Sequence, residues 1–402
     1  MVSVLFDTYK ELSDFSLKDG ARMQRGQDVD LHLTKQDFEI HDEMSLKKTQ
    51  LSELHSSISV KRRLTKYFAE AILDEYKGDA SHVVFVSFGT TIAVNEPHVI
   101  SEHKSHRHKE AGTQIPLHIL HSFEVNTAQH STPLHFDVLS VDTDVLIILM
   151  DLVSHGYLNT SKRVTLHAGK GRNVKTIDIM ERIRCIGVKK GQGLLGFHEF
   201  KGSDWGGKFV GITTERWSKI YIDELSQDDS VVRCFAYLGS YPPECFVLDG
   251  ESVHSSLQPF EAFTCLPYHI HCKDGPLSLP ELRWKLYSSK SMEFEELPPT
   301  RGALVPQLQR INHVCLVHRS YNRTHPNLPP VTESDWQVDN GIITPVYNLM
   351  PPAPKNYMDF TECGCESGCD SKRCRCFKYS RTCTTLCKCN NNCRNKPDDS
   401  SL

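Results

Sequence analysis

Nine of the 15 cysteines in this chain lie in its last 40 residues, and their thiols offer the clearest metal chemistry in the sequence. Three near-copies of one unit, C-x-C followed by a further cysteine, make up the set: Cys363, Cys365, Cys369, Cys374, Cys376, Cys383, Cys387, Cys389 and Cys393. Tetrahedral zinc takes four ligands, so two separate ions would leave one thiolate over. Three ions need twelve sulfur bonds, which nine thiolates supply if three of them bridge. The spacing therefore predicts three structural Zn²⁺ ions in one cluster.

Disulfides are the alternative use of so many thiols. The N-terminal sequence MVSVLFDTYK lacks the apolar run of a signal peptide, and VLIILMDLV at 145–153 is too short to span a bilayer. We therefore expect an intracellular protein with no membrane partner. A reducing compartment favours metal binding over disulfides, and nine cysteines cannot all pair within the set.

Basic residues surround these cysteines. Between Ser371 and Lys396 there are eight Lys or Arg residues and no acid. Three Zn²⁺ and nine thiolates sum to about −3, so the cations exceed what the cluster needs. Such charge is what binds nucleic-acid phosphates, although a solvated basic surface would have the same composition. The cations predicted to contact nucleic acid are Lys372, Arg373, Arg375, Lys378 and Arg381.

The cysteine segment resembles the tesmin-type CXC domain over about 35 residues. In that family, which includes domains of a ubiquitin ligase and of histone methyltransferases, nine cysteines hold three zinc ions. The resemblance implies a DNA partner and hence a nuclear location. It departs at Arg373, where the family usually has the tyrosine that enters the minor groove. An arginine can also enter a narrow minor groove, but the base preference of the family does not transfer.

Acidic residues that follow strand-like runs form a second candidate site. VSVLFD ends in Asp7, PLHFDVLSVDTD ends in Asp142 and Asp144, and Glu110 begins a predicted helix. Asp204 follows GLLGFHEFKGS. Acids at the carboxyl ends of parallel strands meet at one edge of a sheet, and their oxygens suit Mg²⁺ or Mn²⁺. Each acid also has a structural interpretation, since Asp142 or Asp144 could cap the helix that follows.

Elements that would position these acids alternate along the chain. Apolar runs such as HVVFVSF alternate with helical patterns such as VKRRLTKYFAEAILDEYKG, which predicts an α/β sandwich. The length of 402 residues and 39% hydrophobic content suit a globular body and a second small domain. We predict a main domain at 1–290, a Pro-rich linker or extended segment at 291–356, and a zinc domain at 357–397.

The chain also resembles the PIN and flap-endonuclease-like nucleases, and more closely an uncharacterised invertebrate group associated with mobile elements that joins a PIN-like domain to a CXC tail. The motifs that carry this resemblance are FDTY (6–9), HKEAGTQ (108–114), DTDVLIILM (142–150), GFHEFKGSDW (196–205) and ITPVYNLMPPAPKNYMDFTECGC (343–365). It implies a three-layer sandwich with a mainly parallel sheet. It also implies that Asp7, Glu110, Asp142, Asp144 and Asp204 hold Mg²⁺ or Mn²⁺ for phosphodiester hydrolysis.

Two departures from this group concern the acids. Lys109 and Gly112 stand where relatives usually have acids, and Trp205 follows Asp204. A lysine repels a divalent cation and a glycine cannot bind one.

Two hypotheses for the function follow. One is a metal-dependent nuclease that the zinc domain targets to DNA, and the other is an inactive, mobile-element-derived protein that binds DNA or chromatin.

Histidines around the HKEAGTQ segment could form a further zinc site, although a solvated loop also accounts for them. They are His103, His106, His108, His118 and His121.

Overall fold

A computed structural model describes most of the chain as two compact units, Met1–Leu349 and Met350–Leu402. The described residues are 1–8, 40, 58–79, 81–95, 105–129, 134–158, 163–203, 207–249, 252–271, 277–289, 292–339, 342–349, 363–366, 368–383, 387–389 and 393–395. Helices within these ranges are too short or too polar to cross a membrane.

The described strands of the first unit form small sheets of mixed direction. β1 (Val2–Leu5) pairs in parallel with β2 (Val84–Phe88), which pairs antiparallel with β3 (Thr91–Val94). The other strands are β4 (His135–Ser140), β5 (Arg163–Ala168), β6 (Lys175–Asp178), β7 (Trp336–Asp339) and β8 (Ile342–Pro345). β4 and β5 are parallel, whereas the β5–β6 and β7–β8 pairs are antiparallel.

The α/β class is therefore confirmed, but each three-stranded sheet combines one parallel and one antiparallel pair. The antiparallel pairs arise from short connections. β3 follows β2 after two residues, and Gly89 takes φ +56° in that turn. A turn so short can only return the chain antiparallel, whereas a parallel pair needs a long crossover.

Helices outnumber strands among the described residues of the first unit. Their bounds are α1 (Ile58–Glu75), α2 (Ala111–Gln129), α3 (Thr143–Ser154), α4 (Ile179–Ile186), α5 (Val188–Gly202), α6 (Thr214–Lys219), α7 (Ser230–Tyr237), α8 (Gln258–Cys265), α9 (Leu279–Ser288) and α10 (Arg301–Arg319). Short 3₁₀ segments lie at Gly171–Asn173, Pro243–Phe246, Ser255–Leu257, Leu266–His271, Phe294–Glu296, Ser320–Asn322 and Val331–Ser334. A π-helical turn, Ile220–Glu224, follows α6.

The core is centred on α5, which packs against α3, α7 and α10. Glycines let the neighbouring backbone come close, since a Cβ at Gly196 would overlap the carbonyl oxygen of Phe235 on α7. Fully buried aromatic side chains pack against one another here, among them Phe200 of α5, Trp217 of α6 and Phe263 of α8. Burial of each such ring stabilises the fold by about 2–3 kcal/mol.

Residues 291–349, predicted as a linker or extended segment, belong to the first unit and include α10. The helix continues through Pro306, which has no N–H to offer the carbonyl of Gly302. Leu349 N–H donates to that carbonyl instead, at 2.9 Å. At the end of α10, Arg319 pairs with the fully buried Asp151 of α3 at 3.1 Å, and Tyr321 O–H donates to the same carboxylate at 3.0 Å. These contacts attach the segment to the core.

In its described residues the second unit contains one short helix, α11 (Arg375–Lys378). Backbone hydrogen bonds join residues of this unit that are distant in sequence. Cys383 N–H donates to Asn395 O at 2.6 Å, and Arg394 N–H donates to Gly368 O at 2.8 Å. The buried side chains that pack together here are cysteines.

Candidate metal centre and acidic site

The tail cysteines meet at distances that suit metal binding. Cys363 Sγ lies 3.7 Å from Cys369 Sγ and 3.8 Å from Cys383 Sγ, and Cys376 Sγ lies 3.6 Å from Cys387 Sγ. A disulfide requires about 2.05 Å. Four sulfurs at about 2.3 Å around a tetrahedral zinc lie about 3.8 Å apart. All nine tail cysteines are free thiols, so their arrangement fits a metal centre better than disulfides.

Four sets of tail cysteines each place four sulfurs within 4.8 Å of one another, and each could hold a metal ion such as zinc. The sets are Cys363–Cys365–Cys369–Cys374, Cys363–Cys383–Cys387–Cys389, Cys363–Cys374–Cys376–Cys383 and Cys369–Cys383–Cys389–Cys393. Cys363 and Cys383 each occur in three sets. The sets therefore share ligands, as the predicted cluster requires.

Local backbone geometry turns the sulfurs inward. Gly368 and Cys369 both take positive φ, at +85° and +59°. Two amides donate to sulfur, Cys363 N–H to Cys387 Sγ at 3.4 Å and Asn395 N–H to Cys393 Sγ at 3.3 Å. Such N–H···S bonds stabilise thiolates and orient them as ligands.

The predicted nucleic-acid contacts lie around this centre. Lys372, Arg373, Arg375 and Lys378 are exposed, whereas Arg381 is half-buried. The four exposed cations therefore remain accessible to an anionic partner.

Asp7 lies at the end of β1 and contacts the start of α2. Its Oδ1 accepts a hydrogen bond from Ala111 N–H at 2.9 Å. The neighbouring Thr8 N–H donates to Lys109 O at 2.9 Å, and Gln114 of α2 donates to Phe6 O at 3.1 Å. The FDTY and HKEAGTQ motifs thus hold β1 against the N-terminus of α2, where a carboxylate is also favoured by the helix dipole.

Asp142 and Asp144 have different positions at the end of β4. Asp142 is the N-cap of α3, and its side chain accepts from Asp144 N–H at 3.0 Å. This is the capping role that the sequence left open. Asp144 lies in the first turn of α3, where its Oδ1 accepts from His198 Nε2 of α5 at 3.0 Å.

A buried pair, Glu199 and His318, joins α5 to α10 beside these acids. His318 Nδ1 lies 3.5 Å from Glu199 Oε1, and both side chains are almost fully buried. Burial alone would lower the pKa of His318, but Glu199, with Glu110 and Asp144, raises it to about 9. Glu110, directly before α2, and Asp144, in the first turn of α3, therefore both raise the pKa of His318.

The acids of this site that the structure describes do not form a metal-binding set by distance. Among the described residues, the sets of three or more possible ligand atoms that lie within 4.8 Å of one another consist only of tail cysteines. Asp204 lies outside the described residues. Burial lowers the pKa of Lys201, although Glu199 and Asp144 act in the opposite direction, so a cation also borders the site.

The histidines near HKEAGTQ have structural contacts. His106 Nε2 lies 2.7 Å from Ser87 Oγ, and His108 Nε2 donates to Arg323 O at 2.7 Å. Burial lowers the pKa of both, to about 4 for His106, which favours neutral rings. His118 and His121 lie on α2 with their rings edge-on to Phe85. His103 lies outside the described residues.

Sequence reasoning missed His198, Glu199 and His318. The available signal was Glu199 inside the apolar pattern of GFHEFKG, where a buried charge requires a partner. Its partner lies 119 residues later, from Glu199 to His318, in the segment that the prolines suggested was a linker.

Comparison with known proteins adds no identification: no protein-family model matches this chain, and no curated protein or solved structure matches it.

Proposed function

We propose that the second unit is a three-zinc cluster that binds nucleic acid, with DNA as the expected partner. Each ion takes two bridging and two terminal thiolates. The ligand sets are Cys363–Cys365–Cys369–Cys374, Cys369–Cys383–Cys389–Cys393 and Cys363–Cys376–Cys383–Cys387. The bridges are Cys363, Cys369 and Cys383, which gives twelve bonds from nine sulfurs.

Distances between the sulfurs support this assignment. The first two sets have all their sulfurs within 4.8 Å of one another. In the third set, five of the six distances lie within the same limit as parts of other sets, and the sixth, from Cys376 to Cys387, is 3.6 Å. This division is also the one that uses every tail cysteine and gives each ion four ligands.

Charge supports the nucleic-acid partner. Three zinc ions with nine thiolates carry about −3, which the eight Lys and Arg residues between Ser371 and Lys396 exceed. The observation that carries the proposal is the exposure of Lys372, Arg373, Arg375 and Lys378 around the sulfur core. Cations on a rigid support bind phosphates with little loss of conformational entropy.

Salt-dependent DNA binding tests this function. Replacing Arg373, Arg375 and Lys378 together by Ala should weaken binding of the zinc-loaded chain and reduce the log–log salt slope by roughly two to three. A matched variant removes three exposed cations of the first unit, Lys66, Arg184 and Lys189, and should leave the slope unchanged. Equal slopes for both variants and the wild type would refute the proposed role of the tail.

A second candidate function is metal-dependent phosphodiester cleavage by the first unit, targeted to DNA by the tail. It is supported by the charges that act on buried His318: Glu199 lies 3.5 Å away on α5, and Glu110, directly before α2, and Asp144, in the first turn of α3, also raise its pKa. Carboxylates so placed can hold Mg²⁺ or Mn²⁺ and activate water. Because Lys109 replaces an acid and His318 carries a proton there, we expect weak cleavage that favours Mn²⁺.

Cleavage of single-stranded and branched DNA and RNA, with Mg²⁺ or Mn²⁺, tests this candidate. Asp144→Asn should abolish activity, whereas Asp137→Asn, which alters an exposed carboxylate on β4, should not. Lys109→Glu with Gly112→Asp should raise activity, and a Cβ at residue 112 meets only Ile148 and Val145 at 3.7 and 3.8 Å. If no variant cleaves any substrate, the alternative of a mobile-element-derived binding protein is favoured.

A further inference from the structure

Two aromatic side chains lie exposed on the second unit. Phe377 and Tyr379 are 42% and 55% exposed, although rings of this size are usually buried where a fold allows it. In the described part of this unit the interior consists of cysteine sulfur, so the rings face outward. Exposed aromatic rings two residues apart, with cations beside them, can stack against flat ligands.

Both rings are fixed to the metal centre through the backbone. Phe377 belongs to α11, directly after the fully buried Cys376. Tyr379 N–H donates to Cys376 O at 3.1 Å, and Ser380 N–H donates to Phe377 O at 3.0 Å. Ser380 then takes φ +54°, which ends the helix. A bound partner therefore meets rings whose backbone is already positioned, which reduces the entropy cost of binding.

Cations flank the rings. Lys378 Nζ lies 5.8 Å from the centroid of the Tyr379 ring, a distance that allows a cation–π interaction. Arg375 and Lys378 are both exposed, on the same turn of helix that carries Phe377. A partner that matches this surface has flat apolar faces and negative charges at short intervals.

We propose that Phe377 and Tyr379 form a stacking platform for unpaired bases, so that the tail prefers single-stranded to double-stranded nucleic acid. This inference rests on the nucleic-acid function proposed above and names the form of that ligand. Base faces are available for stacking only where the strand is unpaired, and an aromatic platform beside cations is how proteins bind single strands without sequence preference. In a duplex the same faces are covered by neighbouring base pairs, and only the backbone phosphates would contact this surface.

Fluorescence anisotropy with the zinc-loaded full chain tests the platform. The probes are a thymidine oligonucleotide, an abasic oligonucleotide of the same length and charge, and a duplex. Wild type should bind the thymidine strand about tenfold more tightly than the abasic strand, as expected for base stacking on aromatic rings. Tyr379→Ala should lose that difference, whereas Tyr379→Phe should keep it, because stacking requires the ring and not the hydroxyl. Tyr347→Ala, which removes an exposed ring from the first unit, is the matched control and should bind like wild type.

Failure of the platform and failure of the underlying function give different results. If wild type binds all three probes equally, with a steep salt dependence that Tyr379→Ala does not alter, the tail binds phosphates alone and the platform is refuted. If wild type binds none of the probes, the nucleic-acid function itself is wrong. Zinc content of each variant, measured in parallel, shows whether the cluster is intact, and Phe377→Ala provides an independent test if Tyr379→Ala loses zinc.

Discussion

Loss of the proton on His318 should make the first unit less stable as the pH rises above neutrality. The unfolded pKa is 6.5, and the folded pKa is raised to about 9 by Glu199, Glu110 and Asp144 despite burial. Between these values the folded state holds a proton that the unfolded chain has lost, so the stabilisation is complete below pH 6.5 and disappears as pH passes 9. At about 1.4 kcal/mol per pKa unit the full effect is about 3 kcal/mol. About 2 kcal/mol of it should be lost between pH 6.5 and 8.5.

Urea unfolding followed by tryptophan fluorescence measures this loss. All four tryptophans lie before residue 350, so the signal reports the first unit and not the zinc cluster. Measurements should stop at pH 8.5, because burial raises the pKa of Cys265 to about 12, and above that pH the unfolded thiol, with an ordinary pKa of 9.0, becomes largely ionised and adds its own loss of stability.

Glu199→Gln isolates the cause. The amide has the shape of the carboxylate but no charge, so burial should then lower the pKa of His318, and stability should no longer fall between pH 6.5 and 8.5. Glu224→Gln changes an exposed acid that pairs with Arg216 and should keep the wild-type profile. A wild-type stability that is flat over this range, or one whose slope survives in Glu199→Gln, would refute the charge assignment of the pair.

Three further results are expected. Cys363→Ser, at a proposed bridge, should release at least two of three zinc ions measured by mass spectrometry, whereas Cys365→Ser, at a terminal ligand, should release one; equal losses would contradict the bridging assignment. Gly196→Ala should destabilise the first unit by about 1–3 kcal/mol in urea, because its Cβ overlaps Phe235 O, while Gly112→Ala should be neutral or stabilising. Burial lowers the pKa of His313 to about 4, so stability should fall as pH drops from 6.5 towards 4, and His313→Gln should reduce that fall in the same assay.

Local information was enough to predict the cysteine cluster. Its possible ligands lie within residues 363–393, so the spacing of the cysteines alone limits which sulfurs can meet. The acids at the strand ends required one general rule, that parallel strands bring their carboxyl ends together. This rule led to Asp144 after β4, whereas Glu110 was selected at the start of a predicted helix; both raise the pKa of His318.

Contacts between distant helices could not be predicted in the same way. The proximity of Glu199 to His318 depends on the packing of α5 against α10, and no local pattern specifies that packing. Pro306 suggested an interrupted segment, but the carbonyl that it leaves without a donor is satisfied by Leu349. The two antiparallel edge strands, β3 and β6, were missed because each follows a short connection within an apparently continuous α/β pattern.

The attachment of α10 also orders events during synthesis. Arg319 follows Asp151 by 168 residues, which a ribosome adds in roughly 8 to 34 s. Throughout that interval the carboxylate that will be fully buried has neither the guanidinium nor the Tyr321 hydroxyl that later contact it. Helix α5 meanwhile exposes the apolar face that α10 will cover. A chain released from the ribosome before residue 319 therefore presents the kind of surface on which chaperones and proteases act.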